Sequence, residues 1–175
     1  VGTAGPDGQS NLAVMASLVH VGSHPPLLGL LLRPDTVPRH TLENIRSTGC
    51  YTINHVHESF VDAAHQTSAR YPRERSEFLA VGLSEAWLPG LEAPFVAESR
   101  VRLGMILREE HSLAVNGTHF LIGEILVLEC PDDALTESGG LDPAAAGSVA
   151  AAGLDSYYLA GHGERYAYAK TDRPP

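Results

Sequence analysis

The hydrophobic and polar positions along this chain form short runs that are typical of strands, separated by turn residues. Leu27 to Leu32 is a continuous apolar run, of the kind that is buried on both faces of a sheet. Pro25-Pro26 fixes its entry, and Arg33-Pro34 ends it because proline cannot donate a hydrogen bond to a neighbouring strand. The earlier Asp7-Gly8 pair predicts a hairpin turn, after which residues 12 to 21 are predicted as the returning strand.

Short helices are predicted to follow this first group of strands. Thr41 is a good N-cap, so Leu42 through Ser47 is predicted as a short helix that ends at Gly49. The pattern then predicts a strand from Cys50 to Val56 and a second short helix from Phe60 to Gln66.

The second half of the chain is predicted to contain a polar loop and two long strands. The stretch from Thr67 to Arg75 is polar, and Ser76 is a candidate cap for one more helical turn. Phe95 to Arg108 and Thr118 to Glu129 are predicted as long strands, joined by a type I′ turn at Asn116-Gly117. Many short strands with few short helices indicate a mainly β, α+β fold, a β-barrel with helical additions. A doubly wound parallel sheet would need longer, regular helices.

Composition narrows the class of protein. The chain has 175 residues, which suits one domain with a substantial core. Its formal net charge of -9 argues against binding to nucleic acid or to an anionic membrane, and no apolar run reaches the length of a membrane span. Cys50 and Cys130 are far apart and form no CxxC pair, so we expect a reducing, cytoplasmic location.

Small polar groups around the predicted helix start form the first candidate site. Asn11 and Ser17 would face the same side of an unbroken strand, and the intervening Leu12 and Ala13 could support a flat ring. A helix N-terminus attracts phosphate through its free N–H groups and its dipole. The basic and polar residues around the predicted N-terminus are Arg33, Arg39, His40 and Thr41. Together these residues predict a site for a planar cofactor that carries a phosphate.

Each of these residues also has a simpler interpretation. Thr41 can act only as a helix cap, and Arg33 and Arg39 can be solvated surface charges. The indication of a site comes from their order and closeness along the chain.

A metal site is the second candidate, whereas a nucleophilic enzyme is poorly supported by the sequence. His55 and His57 share one face of a predicted strand and lie near Glu58, Asp62 and His65, which are metal-ligating residue types. Their simpler interpretation is a strand end followed by a helix surface, and we expect no bound metal. The sequence contains no GxSxG, P-loop or GxGxxG motif.

Taken in order, these motifs resemble the flavin reductase-like family of FMN-binding split barrels. The resemblance covers roughly residues 1 to 130, with a weaker echo at Tyr166-Ala167-Tyr168-Ala169. The segments that carry it are Asp7-Gly8, Asn11-Leu12-Ala13 with Ser17, Pro25-Pro26, Arg33 to Thr41, Asn44-Ile45 with Thr48-Gly49, Tyr51-Thr52-Ile53-Asn54, His65-Gln66-Thr67-Ser68-Ala69, Ser76-Glu77-Phe78 and Ala93-Pro94 with Glu98-Ser99.

The resemblance implies one split β-barrel domain over residues 1–175. Because Val1-Gly2-Thr3 is predicted as the end of a strand directly before a turn, we expect this domain to lack its extreme N-terminal segment. It implies a homodimer that binds FMN without a covalent bond. The cofactor-binding residues that it suggests are Asn11, Leu12, Ala13, Ser17, Arg33, Arg39, His40, Thr41, Thr67 and Ser68. His40 stands where many members of the family have Lys, so phosphate binding could depend on Arg33 or Arg39, and on pH if His40 takes part.

The resemblance also implies an activity, and two alternatives stay open. Members of the family pass hydride from NADH or NADPH to flavin, or use the bound flavin on other small-molecule electron acceptors. The first alternative is a non-catalytic flavin carrier or sensor. The second is a metal-dependent enzyme that uses His55, His57 and His65.

Overall fold

A seven-stranded antiparallel sheet organises the computed structural model, which describes residues 1–161 and 163–171. The strand order in this sheet is β2-β1-β5-β8-β9-β4-β3, and β6–β7 and β10–β11 form two small hairpins. The strands are β1 (Gly2–Ala4), β2 (Ser10–Leu12), β3 (Leu18–Ser23), β4 (Pro26–Leu32), β5 (Cys50–Asn54), β6 (Glu85–Ala86), β7 (Phe95–Val96), β8 (Arg102–Ser112), β9 (His119–Glu129), β10 (Val149–Ala152) and β11 (Ser156–Leu159). The mainly β, α+β fold class is confirmed.

The chain crosses between the two outer strands of this sheet in the segment 13–17. At its start the Ala13 N–H donates to the Val1 carbonyl oxygen at 3.0 Å, which extends the pairing of β2 with β1. At its end the Leu31 N–H donates to the Ser17 carbonyl oxygen at 3.0 Å, which extends the pairing of β3 with β4. The two outer strands, β2 and β3, are therefore consecutive along the chain and are joined directly by this segment.

This change of partner corrects the predicted strand over residues 12 to 21. A single ladder cannot continue where the chain leaves β1 and joins β4, so the strand is interrupted between Leu12 and Leu18. Asn11 and Ser17 consequently do not share one strand face, and the cofactor cradle predicted from their spacing is wrong in that respect. The predicted strand over Leu27 to Leu32 is confirmed as β4.

Three α-helices cover the sheet: α1 (His40–Thr48), α2 (Val61–Gln66) and α3 (Glu77–Val81). Helix α1 buries Leu42 and Ile45, which are spaced to lie on one helical face, against the core side chains Tyr51, Met105 and Leu121. Gly49 ends α1 as predicted, because its φ of 73° is in the left-handed region and its N–H donates to the Ile45 carbonyl oxygen at 2.8 Å.

The start of α1 differs from the prediction. The helix begins at His40, two positions before Leu42, and Arg39 is its N-cap with no side-chain cap hydrogen bond. Thr41 therefore lies inside the first turn and does not cap the helix. A short 3-10 turn, Glu58–Phe60, precedes α2, so the second helical segment is confirmed with a slightly earlier start.

One of the two predicted hairpin turns is confirmed, and the other has a different geometry. Gly8 has a φ of 80°, and the Asp7-Gly8 turn joins β1 to β2 as predicted. The turn at Asn116-Gly117 is not type I′, because only Gly117 has a positive φ and type I′ requires one at both positions. This hairpin instead closes through a longer loop, in which the Leu113 N–H donates to the Thr118 carbonyl oxygen at 2.8 Å.

The two long strands of the second half are confirmed with one break. Residues 119–129 form β9 almost as predicted, whereas the run from Phe95 to Arg108 divides into β7 and β8. The break occurs because the chain turns at Ser99, whose N–H donates to the Val96 carbonyl oxygen at 3.1 Å.

Across the described residues, the helices are all too short or too polar to span a membrane.

Candidate functional site

Strand β2 and the residues that follow it border two neighbouring clefts. We call the first the polar cleft, whose lining includes Ser10, Asn11, His40, Arg73, Arg75 and Glu77. We call the second the apolar cleft, whose lining includes Leu12, Ala13, Val14, Phe60, Thr67 and Leu83. Because Asn11 and Leu12 are consecutive, the lining passes from one cleft to the other within β2.

The polar cleft combines a helix N-terminus with arginine side chains. His40 is the first residue of α1 and is half-buried. Arg73 is held by α1, because it donates to Asn44 Oδ1 at 3.2 Å and pairs with Glu43. The Arg75 guanidinium lies 5.4 Å from the centre of the Tyr71 ring. Arg75 forms no ion pair within the part of the chain that the structure describes, so its charge is available to an anion.

A buried network of amides and hydroxyls lies behind the polar cleft. Asn11 Nδ2 donates to Thr3 Oγ1 at 3.2 Å and to Thr41 Oγ1 at 3.1 Å. Asn44 Nδ2 donates to the same Thr3 oxygen at 3.1 Å. These four buried side chains join β1, β2 and α1 and leave their polar groups satisfied. Thr41, predicted as a cap or a phosphate ligand, therefore bonds the neighbouring strand.

The outer edge of β2 is closed by side chains of the short helices. The Leu12 N–H donates to Glu77 Oε2 at 2.9 Å, and the Val14 N–H donates to Thr67 Oγ1 at 2.9 Å. The Thr67 hydroxyl in turn donates to the Ala64 carbonyl oxygen at 2.7 Å. An edge strand otherwise leaves such N–H groups unpaired, so these bonds fix the backbone that borders the apolar cleft.

Glu77 is the buried acid of the site. Burial raises the pKa of its carboxyl above the usual value, and the Leu12 N–H and the nearby His40 act in the opposite direction. Its neighbour Ser76 is hydrogen-bonded to Ser10 at 2.7 Å between the two hydroxyl oxygens. Glu77 lines the polar cleft together with His40 and Arg75, so the net charge of this cleft depends on whether the Glu77 carboxyl is ionised.

Six of the ten predicted cofactor-binding residues lie at or just behind the clefts. Asn11, His40, Leu12, Ala13 and Thr67 line them, and Thr41 is bonded to Asn11 behind them.

The other four predicted residues line neither cleft. Ser17 donates to the Leu31 carbonyl oxygen at 2.7 Å, at the opposite edge of the sheet, because the chain has already joined β4. Arg33 is exposed after β4, Arg39 Nε donates to the Pro34 carbonyl oxygen at 3.1 Å, and Ser68 is exposed after α2.

Sequence reasoning missed several lining residues. Arg73, Arg75, Glu77 and Val14 border the clefts but were not predicted as site residues. One signal for the arginines was available, because residues 70–75 contain a cluster of them within the predicted polar loop. The position of Glu77 depends on how α3 packs against β2, which no local pattern specifies.

The three histidines of the metal alternative bond separate partners. Each ring nitrogen Nδ1 contacts a different hydroxyl oxygen: His55 with Ser148 at 3.0 Å, His57 with Ser59 at 2.9 Å and His65 with Tyr157 at 3.0 Å. Within residues 1–161 and 163–171, His, Cys, Asp and Glu side chains form no group suited to a metal ion. The described geometry therefore gives the metal-dependent alternative no support.

The seven-stranded sheet with its short helices has the fold of a split-barrel protein. The family model described as the flavin reductase like domain matches residues 1–150, so the chain belongs to that family. The resemblance found in the motifs is thereby confirmed.

The chain is also similar to individual proteins and solved structures. An uncharacterized protein of Halalkalibacterium halodurans is 33% identical over 128 residues, which cover 69% of this chain and 60% of that protein. The match thus spans less than two thirds of the relative's length. A structure from Shewanella frigidimarina, provisionally named a flavin reductase with a split barrel domain, is 47% identical with a TM-score of 0.91 and covers 96% of this chain and 83% of its own.

A more distant structure shares the fold alone. The FMN-binding protein of Thermus thermophilus, solved with bound 1-cyclohex-2-enone, is 17% identical with a TM-score of 0.77. The match covers 95% of this chain and 86% of that one.

Proposed function

We propose that this protein binds FMN and passes hydride from NADH or NADPH, through the flavin, to a small-molecule acceptor. The observation that carries the proposal is the junction of the polar and apolar clefts within β2. FMN has the same division, because a charged phosphate is joined through a short chain to a flat ring. When bound, the flavin supplies the hydride chemistry, and the protein supplies binding and orientation.

The polar cleft is suited to the phosphate. The first-turn N–H groups of α1 attract anions, and His40 stands at that end of the helix. Arg75 offers planar donors that match phosphate oxygens, and Arg73 adds positive charge although Glu43 already pairs with it. We therefore propose Arg75 and the start of α1 as phosphate-binding groups, in place of Arg33 and Arg39.

The apolar cleft is suited to the ring. Ala13 has a small side chain, and the Leu12 and Val14 backbone is fixed by Glu77 and Thr67, so a flat ligand meets a rigid surface. By analogy with the Thermus FMN-binding protein, which was solved with bound 1-cyclohex-2-enone, we propose an organic acceptor of modest size.

We also propose that the protein is a homodimer and that it is located in the cytoplasm. The two free cysteines, Cys50 and Cys130, are consistent with a reducing compartment.

Titration with flavins tests the binding proposal. We expect FMN to produce a saturable change in flavin fluorescence at micromolar protein. Arg75→Gln is expected to weaken FMN about tenfold, in line with the loss of one charge-assisted hydrogen bond, and to leave riboflavin unchanged. Arg33→Gln is the matched control and should bind like the wild type. A loss of FMN affinity in Arg33→Gln but not in Arg75→Gln would identify Arg33 as the phosphate-binding residue. A wild-type protein that shows no response to FMN, FAD or riboflavin would contradict flavin binding.

Anaerobic mixing with NADH and NADPH tests the activity. Bleaching of the flavin absorbance band on the timescale of turnover supports the reductase. If neither nucleotide reduces the bound flavin, the protein is a flavin carrier or sensor. Activity that a chelator abolishes and a divalent metal restores would revive the alternative based on His55, His57 and His65.

A further inference from the structure

Glu77 is a buried carboxylate that contacts both parts of the candidate site. Its residue is only 6% exposed, and Oε2 accepts the Leu12 N–H at 2.9 Å from the outer edge of β2. Leu12 lines the apolar cleft, whereas Glu77 itself lines the polar cleft together with His40 and Arg75. One side chain therefore holds the backbone beside the ring site and places a negative charge beside the phosphate site.

We propose that Glu77 positions β2 for flavin binding and that its charge limits the affinity of the polar cleft for the phosphate. This inference rests on the proposed function, because it assigns the phosphate of FMN to the polar cleft. Like charges in a partly dehydrated site repel each other more strongly than they do in water. The carboxylate thus favours a flavin that exchanges over one that is held permanently.

The charges that surround Glu77 come from three directions. Helix α1 contributes His40 and Glu43, and the loop before α3 contributes Arg73 and Arg75. Strand β6 contributes Glu85, which accepts a hydrogen bond from the Ser10 hydroxyl at 2.5 Å. Because Glu43 already pairs with Arg73, the opposite charges that remain in the lining of the cleft are the Glu77 carboxylate and the Arg75 guanidinium, with the His40 ring beside them.

Thr67 shows that holding the strand does not require a charge. It accepts the Val14 N–H at 2.9 Å, the same distance at which Glu77 accepts the Leu12 N–H. Both side chains close the same edge of β2, but only Glu77 is ionisable. The use of a carboxylate where a hydroxyl suffices is the reason to assign Glu77 a second, electrostatic effect.

Two substitutions separate the effect of the hydrogen bond that Glu77 accepts from Leu12 from the effect of its negative charge. Glu77→Gln keeps an oxygen that can accept the Leu12 N–H and removes the charge, so we expect FMN to bind about fivefold tighter and riboflavin to bind as before. Glu77→Asp keeps the charge and shortens the side chain, so both flavins should weaken by a similar factor of about five, because the hydrogen bond to Leu12 is lost. The measurement is the ratio of FMN to riboflavin affinity, with folding checked by circular dichroism.

The ratio decides the outcome, since a purely structural role would change both affinities together. The proposal is overturned if Glu77→Gln leaves the ratio unchanged or lowers FMN affinity selectively. It is equally overturned if Glu77→Asp binds both flavins as tightly as the wild type. If Glu77→Asp fails to fold, Glu77→Gln still decides through the ratio. If Glu77→Gln fails to fold, Glu77→Met, which is also uncharged and of similar length, takes its place in the ratio measurement, and an unchanged ratio overturns the proposal. A wild-type protein that binds neither flavin contradicts the proposed function instead.

Discussion

Single side chains fix the start of α1 against the first two strands. Asn11 and Asn44 each donate to Thr3 Oγ1, and Asn11 also donates to Thr41 Oγ1, with all four residues buried. Buried groups of this kind stabilise a fold while every donor is paired and destabilise it when one is left without a partner. The shape of the polar cleft therefore depends on hydroxyl groups that do not line it.

Thr41→Val tests this dependence with little change in shape. The substitution removes the acceptor of an Asn11 N–H inside the protein, so we expect a loss of about 1–3 kcal/mol in the free energy of unfolding. Thr48→Val on the same helix is the control. Thr48 is half-buried, and its Oγ1 donates to the Asn44 carbonyl oxygen at 3.0 Å and makes only long contacts with Cys50, at 3.4 Å to the carbonyl oxygen and 3.8 Å to Sγ. Its loss should therefore cost less than the loss of Thr41, about 0.5 kcal/mol. Urea denaturation measures both variants, and equal losses would contradict the assigned role of Thr41.

Tyr51 offers a second test at this scale. Its ring is fully buried, its hydroxyl packs against Gly123, and the described residues provide that hydroxyl with no hydrogen-bond partner. Burial raises the pKa of Tyr51 to about 12. Because an unpaired hydroxyl in a core costs free energy, we expect Tyr51→Phe to raise the free energy of unfolding by about 1 kcal/mol. A lower melting temperature would show that a bound water satisfies the hydroxyl.

At the scale of elements, a charged cluster ties α1 to the long β8–β9 hairpin. Arg46 on α1 donates through Nε to Glu110 Oε2 at 3.0 Å, and His119 Nδ1 lies 3.1 Å from Glu110 Oε1. The hydrogen bonds from Arg46 hold the pKa of Glu110 below its usual value of 4.5. The cluster links the helix that borders the polar cleft to the centre of the sheet.

The stability provided by Glu110 should depend on pH. A carboxyl whose pKa is lower in the folded state contributes stability above the unfolded pKa, and this contribution is lost as the pH falls through the folded pKa. We expect Glu110→Gln to cost about 1 kcal/mol at neutral pH, given the partial exposure of Arg46. The difference from wild type should shrink below pH 4.5. Glu109→Gln, which removes only an exposed contact with His111, should show no such trend.

The elements also show which parts of the structure a sequence can specify. The Asp7-Gly8 turn, β4 and the end of α1 at Gly49 were predicted because each depends on residues that are adjacent in sequence. The break of the strand over residues 12–21 was missed, because it arises where the chain changes its hydrogen-bonding partner from β1 to β4.

Some residues of the candidate site could be predicted from local sequence, and others could not. His40 and the Asn11 to Ala13 segment were predicted from local motifs and from the family resemblance. Arg75 and Glu77 reach the polar cleft only through the packing of α3 and its preceding loop against β2. Such contacts join residues more than sixty positions apart along the chain, as the spacing of Leu12 and Glu77 shows, and no window of local sequence contains them.

At the scale of the whole molecule, the described chain leaves large apolar side chains at its surface. Val19 on β3 and Leu126 and Leu128 on β9 are 43%, 53% and 58% exposed. Strand β3 is also an outer strand of the sheet, with backbone groups free on one side. Exposed apolar side chains and a free strand edge are both features that a partner subunit can cover, and they support the proposed homodimer.

We expect a homodimer in which the partner subunit helps to form the flavin site. If so, FMN binds the dimer more tightly than the monomer, and by linkage FMN must in turn stabilise the dimer. Sedimentation velocity over a dilution series, with and without saturating FMN, measures this coupling. The dimer should persist to lower protein concentration when FMN is present, and FMN affinity should fall as the dimer dissociates. A monomer that binds FMN tightly, or a dimer whose dissociation is unaffected by FMN, would contradict a shared site.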